Sequence, residues 1–360
     1  MWAVYVSGHG FGHATRMGEV LRALRRREPG LPLTVTTSGP EALYRDAVRD
    51  GLAFRRVECD VGLVQKDALR IDEEGTVAAW RAFAAGHHER VRNEALWLRA
   101  SGARLVIGDI PPLAFAAAAQ AGVPSTGIAN FSWDWIYSAM SERHPGLVEA
   151  ADAARDAYRL CGMLLRLPFA GDMSAFPRAE DLPLIARRPK VDRTEARRRL
   201  GLDERPAVLL SFGGVGLPGL DVSGLGPLRE LLFLSAGEWP TAPANLRSVA
   251  TAELQALGLG YEDLVGAADV VVTKPGYGIV TDAIGARTRI VYTERGDFAE
   301  YPILVEGMSR LVPSVHVSNE DLLAGRLGEP IRRALAMPFP DEPDMTGADV
   351  AARKLLERAR

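Results

Sequence analysis

Cysteine is nearly absent, with only Cys59 and Cys161 in 360 residues. Two isolated thiols build neither a disulfide framework nor a zinc site, and they fit a reducing, cytoplasmic setting. Long apolar runs are missing as well. No stretch approaches the roughly 20 consecutive apolar residues of a membrane span. The opening Met1-Trp2-Ala3-Val4-Tyr5-Val6 reads as a strand rather than as a basic, apolar export leader. Neither sign of charge is in excess. The formal net charge is -3, so no polyanion-binding bias shows and nucleic acid is not expected as a partner. The runs Arg25-Arg26-Arg27 and Arg197-Arg198-Arg199 read as solvated helix faces. No D-x-D triplet occurs, which argues against a metal-chelating nucleotide site built on paired carboxylates. A G-x-x-x-x-G-K-[ST] loop is also lacking, which excludes an ATP-driven kinase of that type.

What is present is an alternation of strands and helices. With 47% hydrophobic residues the composition is that of a globular protein, and the length exceeds the usual size of one core, which favours two domains over one large barrel. Ala3 to Val6 reads as a buried strand, Ser7 to Gly12 as a glycine-rich turn, and Met17, Val20, Leu21 and Leu24 recur at helical spacing. Strands follow at 33–37, 54–57, 104–107, 125–129 and 163–167, with helices at 77–100, through Ala119 and at 146–160 between them. This grammar implies a parallel sheet. Residues 172–193 are proline-rich without clear period and read as a linker. The grammar then restarts, with strands at 207–211, 231–234, 270–273 and 289–292 and a second glycine turn at Phe212-Gly213-Gly214-Val215-Gly216. The fold class expected is α/β with two Rossmann-like domains facing across a cleft. Residues 1–170 form the first, 190–340 the second, and a final amphipathic helix within 346–360 returns to the first.

The turn Ser7-Gly8-His9-Gly10-Phe11-Gly12-His13 is the most informative segment, because alternate glycines let backbone amides approach a ligand where side chains would collide. Its spacing is not G-x-G-x-x-G, so a sugar-nucleotide site ranks above an NAD site. Asp109 ends a strand of the same half, where open α/β sheets place their ligand crevice, and either orients His13 or caps the turn before Pro111. Lys274-Pro275-Gly276-Tyr277-Gly278 follows a Val-Val-Val strand and opens a helix, so amide dipoles and an ammonium converge where a diphosphate would sit. Asp282, early in that helix, is placed to accept from ribose hydroxyls or simply complements the helix dipole. Glu294, Arg295, Asp297 and Glu300 follow the next strand and either grip sugar hydroxyls or are solvated. Trp133 and Asp134, with Trp135, form an acceptor platform or part of the core.

Four segments together resemble a known family: Ser7 to Arg16 (SGHGFGHATR), Val64 to Leu69 (VQKDAL), Asn130 to Tyr137 (NFSWDWIY) and Gly276 to Ala283 (GYGIVTDA). They are similar to the glycosyltransferase-like amino-terminal half of plant L-arabinose kinases. The kinase half has no counterpart, so sugar-kinase activity does not carry over. More distantly, the order of motifs resembles UDP-glycosyltransferases and the peptidoglycan N-acetylglucosaminyltransferases, which share the glycosyltransferase-B fold. The resemblance implies His13 as general base, with Asp109 near the aspartate that orients it. It places Gly8, His9, Gly10, Gly12 and Arg16 in the first glycine loop. It sets Thr273-Lys274-Pro275-Gly276 on a Thr-His-x-Gly diphosphate motif, with Lys274 in place of the histidine. Asp282 replaces a ribose-holding glutamate, and Glu300 lies near the acidic residue that contacts the donor sugar. Gly213, Gly214, Tyr277 and Gly278 complete the donor side. The implied activity is metal-independent, inverting transfer from a nucleoside-diphosphate sugar, a UDP-sugar first, to a hydroxyl acceptor, with no tightly bound cofactor. An epimerase or hydrolase on the same fold, or a non-catalytic sugar-nucleotide-binding module, is the alternative.

Overall fold

The computed structural model describes residues 1–45, 47–48, 51–213, 217, 219–239 and 241–359. Gly214, part of the expected donor loop, lies outside them. Among the described residues thirteen strands form two sheets whose pairings are all parallel. The first sheet contains β1 (Trp2–Val6), β2 (Leu33–Thr37), β3 (Leu52–Arg56), β4 (Leu105–Asp109), β5 (Ser125–Ala129), β6 (Met163–Arg166) and β7 (Ala179–Asp181), in the order β3-β2-β1-β4-β5-β6-β7. The second contains β8 (Ala207–Ser211), β9 (Leu232–Ser235), β10 (Leu246–Ser248), β11 (Val270–Thr273), β12 (Arg289–Tyr292) and β13 (Ser314–His316), in the order β10-β9-β8-β11-β12-β13. Helices cover both faces, which is why β1, β2, β4, β5, β8 and β11 are buried along their whole length.

Chain order reverses between β1 and β4 in one sheet and between β8 and β11 in the other, and such reversals leave a crevice beyond the strands' carboxyl ends. Register then decides which residues share each crevice. Val6 pairs with Asp109, so the first glycine turn starts beside the Asp109 carboxylate. Ser211 pairs with Thr273, so Phe212 and Lys274 leave their strands side by side.

The two halves share core. Tyr277, Val280, Ala283 and Ile284 of the second half pack in one cluster with Met17, Leu21 and Leu24 of the helix Phe11–Arg27. The final helix Gly347–Arg358 buries Ala351, Ala352 and Leu355 in that cluster, and Arg26 meets Asp349 at 3.1 Å. The closest approach is between glycines. A Cβ built on Gly278 would stand 3.0 Å from Gly12 Cα, so the helices Phe11–Arg27 and Tyr277–Ala286 begin almost in contact. The loop after β3 reaches across as well, burying Ala68 among Leu210, Phe212 and Leu217.

Four expectations differ from the structure. Ala179–Asp181, read as linker, is the edge strand β7. The helix read over 77–100 is two, Glu73–Ala85 and His87–Ala100, broken at Gly86, and Asp72 caps the first by accepting from Gly75 N–H. The three-residue edge strands β10 and β13 were too short to register as a pattern. Trp133–Ser141, read as an aromatic cluster, is a helix.

Candidate active site in the interdomain cleft

A cleft of about 2420 Å³ separates the halves, with Gly8 to His13, Gly213, Lys274 to Gly278, Asp282, Arg295 and Glu300 on its walls. That volume exceeds the roughly 300–1,000 Å³ of a single small-ligand pocket.

At its centre His13 Nδ1 lies 2.9 Å from Asp109 Oδ1, both side chains being buried. Nδ1 also has the Arg16 Nη2 donor at 3.1 Å, but its nearer partner is the carboxylate, which only accepts, so the imidazole proton sits on Nδ1 and Nε2 is left free to take one. Arg16, one turn further along the same helix, grips the same carboxylate: Nε donates to Asp109 Oδ2 at 2.7 Å and Nη2 to Oδ1. Burial pushes the Asp109 carboxyl up, but Arg16 and His13 outweigh it and hold it below the usual carboxylate range. Arg16 Nη1 donates to Asn130 Oδ1 at 2.6 Å, Asn130 Nδ2 donates to Glu300 Oε1 at 2.7 Å, and Arg295 Nη1 donates to Glu300 Oε2 at 3.1 Å. The result is a buried polar chain that crosses the cleft from His13 to Arg295. Tyr277 closes it from the second half, its ring 5.2 Å from the Arg16 guanidinium carbon.

Lys274 lies opposite, after β11, and no carboxylate of the described residues forms an ion pair with it. Burial, with Arg295 close by, pushes its ammonium down to about 8. Gly276, whose added Cβ would meet nothing within 4 Å, leads into the helix Tyr277–Ala286, so Lys274 and that helix's free amides border the same open space. His9 lines the cleft with its Nδ1 accepting from Leu63 N–H at 3.3 Å.

Thus His13, Arg16, His9, Lys274, Tyr277, Gly278 and Glu300 come together around one space, with Asp109 buried behind His13. Three expected residues stand differently. Asp282 is buried and already paired, with Arg187 Nε at 3.0 Å and Nη2 at 2.5 Å, because its helix turns that face toward the chain segment joining the two sheets. Any ribose contact there is shared with Arg187. Trp133 is core rather than platform: it is fully buried, stacks on Tyr137 at 5.7 Å and donates from Nε1 to Asp60 Oδ2 at 2.8 Å. Asp134, in the first turn of the helix Trp133–Ser141, is buried and is absent from the cleft wall. The exposed aromatic in the cleft is Phe11, at 47% relative exposure. Sequence reasoning missed Asn130 and Arg187 as site-organising residues. Asn130 carried one readable signal, since it directly follows the strand β5, as Asp109 ends β4.

Among the described residues no group of three or more His, Cys, Asp or Glu side chains could hold a metal ion. No helix among them is long and apolar enough to cross a membrane.

Two parallel-sheet domains facing across a cleft at their topological switch points define the glycosyltransferase-B fold, and solved structures bear this out. The glycotransferase of kitacinnamycin superposes with a TM-score of 0.61 at 17% identity, covering 99% of this chain and 98% of that one. UGT89C1 of Arabidopsis thaliana, solved with UDP, superposes with a TM-score of 0.59 at 15% identity, covering 100% of this chain and 94% of that one. In sequence the chain is similar over its full length to the L-arabinokinase of Arabidopsis thaliana, at 33% identity, and it spans about a third of that protein, 34%. No family model matches it.

Proposed function

We propose that this chain is a glycosyltransferase that moves a sugar from a nucleoside-diphosphate sugar, a UDP-sugar first, onto a hydroxyl acceptor by single displacement with inversion. The observation that carries the reading is the His13–Asp109 pair at 2.9 Å facing Lys274 across the cleft. Asp109 holds the imidazole in the tautomer whose Nε2 accepts a proton. The deprotonating hydroxyl attacks the anomeric carbon, the bond from that carbon to the diphosphate oxygen breaks, and the nucleoside diphosphate leaves with the electron pair. Lys274 and the helix Tyr277–Ala286 take up the charge that develops on the leaving group, and no metal is required for this. UDP bound in a structure of the same fold supports a uridine nucleotide as the first donor to test. The similarity to part of an arabinokinase supports a carbohydrate context.

General-base assistance contributes about 10²- to 10⁴-fold. His13→Ala is therefore expected to lower turnover by that factor while leaving the affinity for the nucleoside diphosphate nearly unchanged. Wild-type turnover in this variant removes His13 from the mechanism. Release of free sugar at the same rate with and without any acceptor would instead identify a hydrolase.

A further inference from the structure

The first glycine turn presents two histidines to one cleft, and their ring nitrogens face opposite kinds of partner. His13 Nδ1 has a carboxylate, which only accepts, at 2.9 Å and the Arg16 Nη2 donor farther off at 3.1 Å; the nearer contact places the proton on that nitrogen and leaves Nε2 bare. His9 Nδ1 faces the backbone N–H of Leu63, which only donates, at 3.3 Å. That nitrogen is therefore bare, and the proton of the neutral ring sits on Nε2. Among the described residues Nε2 of His9 has no hydrogen-bond partner, although its ring borders the cleft.

Packing keeps the two rings together and fixed. His13 stands edge-on to Phe131 at 5.5 Å, His9 edge-on to Trp133 at 5.3 Å, and Phe131 and Trp133 are 5.2 Å from each other. Gly62, at φ 64°, lies against the His9 ring so closely that a Cβ there would fall 2.7 Å from it. Burial, with His13, Arg295 and Lys274 as like-charged neighbours, pushes the His9 imidazole down to about 3, so it is neutral across the physiological range.

We infer that His9 is a hydrogen-bond donor to the acceptor substrate, and that this acceptor is a vicinal diol such as a sugar or polyol. His13 Nε2 takes the proton of the attacking hydroxyl, while His9 Nε2–H donates to the oxygen on the adjacent carbon. A lone alcohol would satisfy His13 and leave the half-buried His9 donor unpaired. Leu63, Phe131 and Phe298 on the same wall suit the carbon skeleton of such a molecule. The inference rests on the reading of His13 as base, and its test separates the two.

The chain has six histidines. Replacing His87, His88, His144 and His316, none of them buried, by glutamine leaves only the two of interest. Long-range 1H–15N correlation at pH 7 then reads their tautomers directly. The expected result is an Nε2–H ring for His9 and an Nδ1–H ring for His13. Two rings of the same tautomer, or an imidazolium at His9, overturns the inference. With UDP present, aldopentoses and aldohexoses are expected to shift the Nε2–H resonance, whereas cyclohexanol leaves it in place. An equal response to both classes, or no response to either, overturns the diol assignment. A response at His9 without one at His13 supports the donor role and counts against His13 as base.

Discussion

At the scale of single residues the site is organised by Arg16 as much as by His13. Its guanidinium has charge partners and acceptors at Asp109 and Asn130 and no contact with water to speak of. Removing one partner of a buried ion pair leaves the other uncompensated, at a cost of about 3–5 kcal/mol. Arg16→Ala is thus expected to lower stability by about that amount in chemical denaturation, with the loss shrinking in acid. The sign follows from Asp109, whose folded pKa is depressed: its stabilising contribution is present above the unfolded value of about 3.9 and is lost as pH falls through the folded value. Lys274 acts in the opposite direction. In the free protein it releases its proton near pH 8, while in the unfolded chain it holds it to about 10.4. Between those values the unfolded state binds more protons, so stability rises with pH across that window. Diphosphate affinity falls over the same window as the ammonium is lost. Calorimetric titration of UDP between pH 7 and 10 measures this, and a pH-independent affinity would remove Lys274 from the diphosphate site. Lys274→Met should abolish the slope.

At the scale of elements, two glycines of one motif have separable tasks. Gly278 sits where the helices Phe11–Arg27 and Tyr277–Ala286 nearly touch, and the atoms it would meet, Gly12 Cα and Thr15 Oγ1 at 3.0 and 3.3 Å, include backbone that cannot turn aside. Gly276 has open space before it and an extended backbone at φ -151° that any residue adopts. Gly278→Val is expected to cost about 1–3 kcal/mol by overpacking and to widen the cleft. Gly276→Ala is expected to leave the melting temperature unchanged while weakening UDP, because its methyl enters the space a diphosphate would use. Equal loss of stability in both would show that the open space at Gly276 is not a ligand site.

The same scale explains what could be read in advance. The long buried strands β1, β4, β8 and β11 declare themselves as apolar runs followed by glycine or turn residues, and their carboxyl ends carry His13, Asp109 and Lys274 into view. The strands β10 and β13 have three residues each and sit at sheet edges, so neither period nor propensity marks them. Trp133 reads as a platform because nothing local reveals that Asp60, distant in the chain, takes its indole N–H. Arg187 and Asp282 are 95 residues apart, and Arg16 and Asp109 are 93 apart. Such pairs follow from how elements distant in the chain pack together, which no local pattern encodes.

At the scale of the whole molecule, the two halves are joined by a shared apolar cluster, the returning helix Gly347–Arg358 and the polar chain from His13 to Arg295. A ligand that bridges the halves adds to those joints. The most direct test of the central claim is thermal unfolding of the wild-type protein against a panel of nucleoside diphosphates and nucleotide sugars. A ligand at about 100 times its dissociation constant adds about 2.7 kcal/mol, which for a chain of this length is a rise of roughly 3–4 °C in melting temperature. The expected result is such a rise with one nucleotide family, uridine first, and its loss in Lys274→Met. An unchanged melting temperature across the whole panel would contradict the assignment of this cleft as a sugar-nucleotide site.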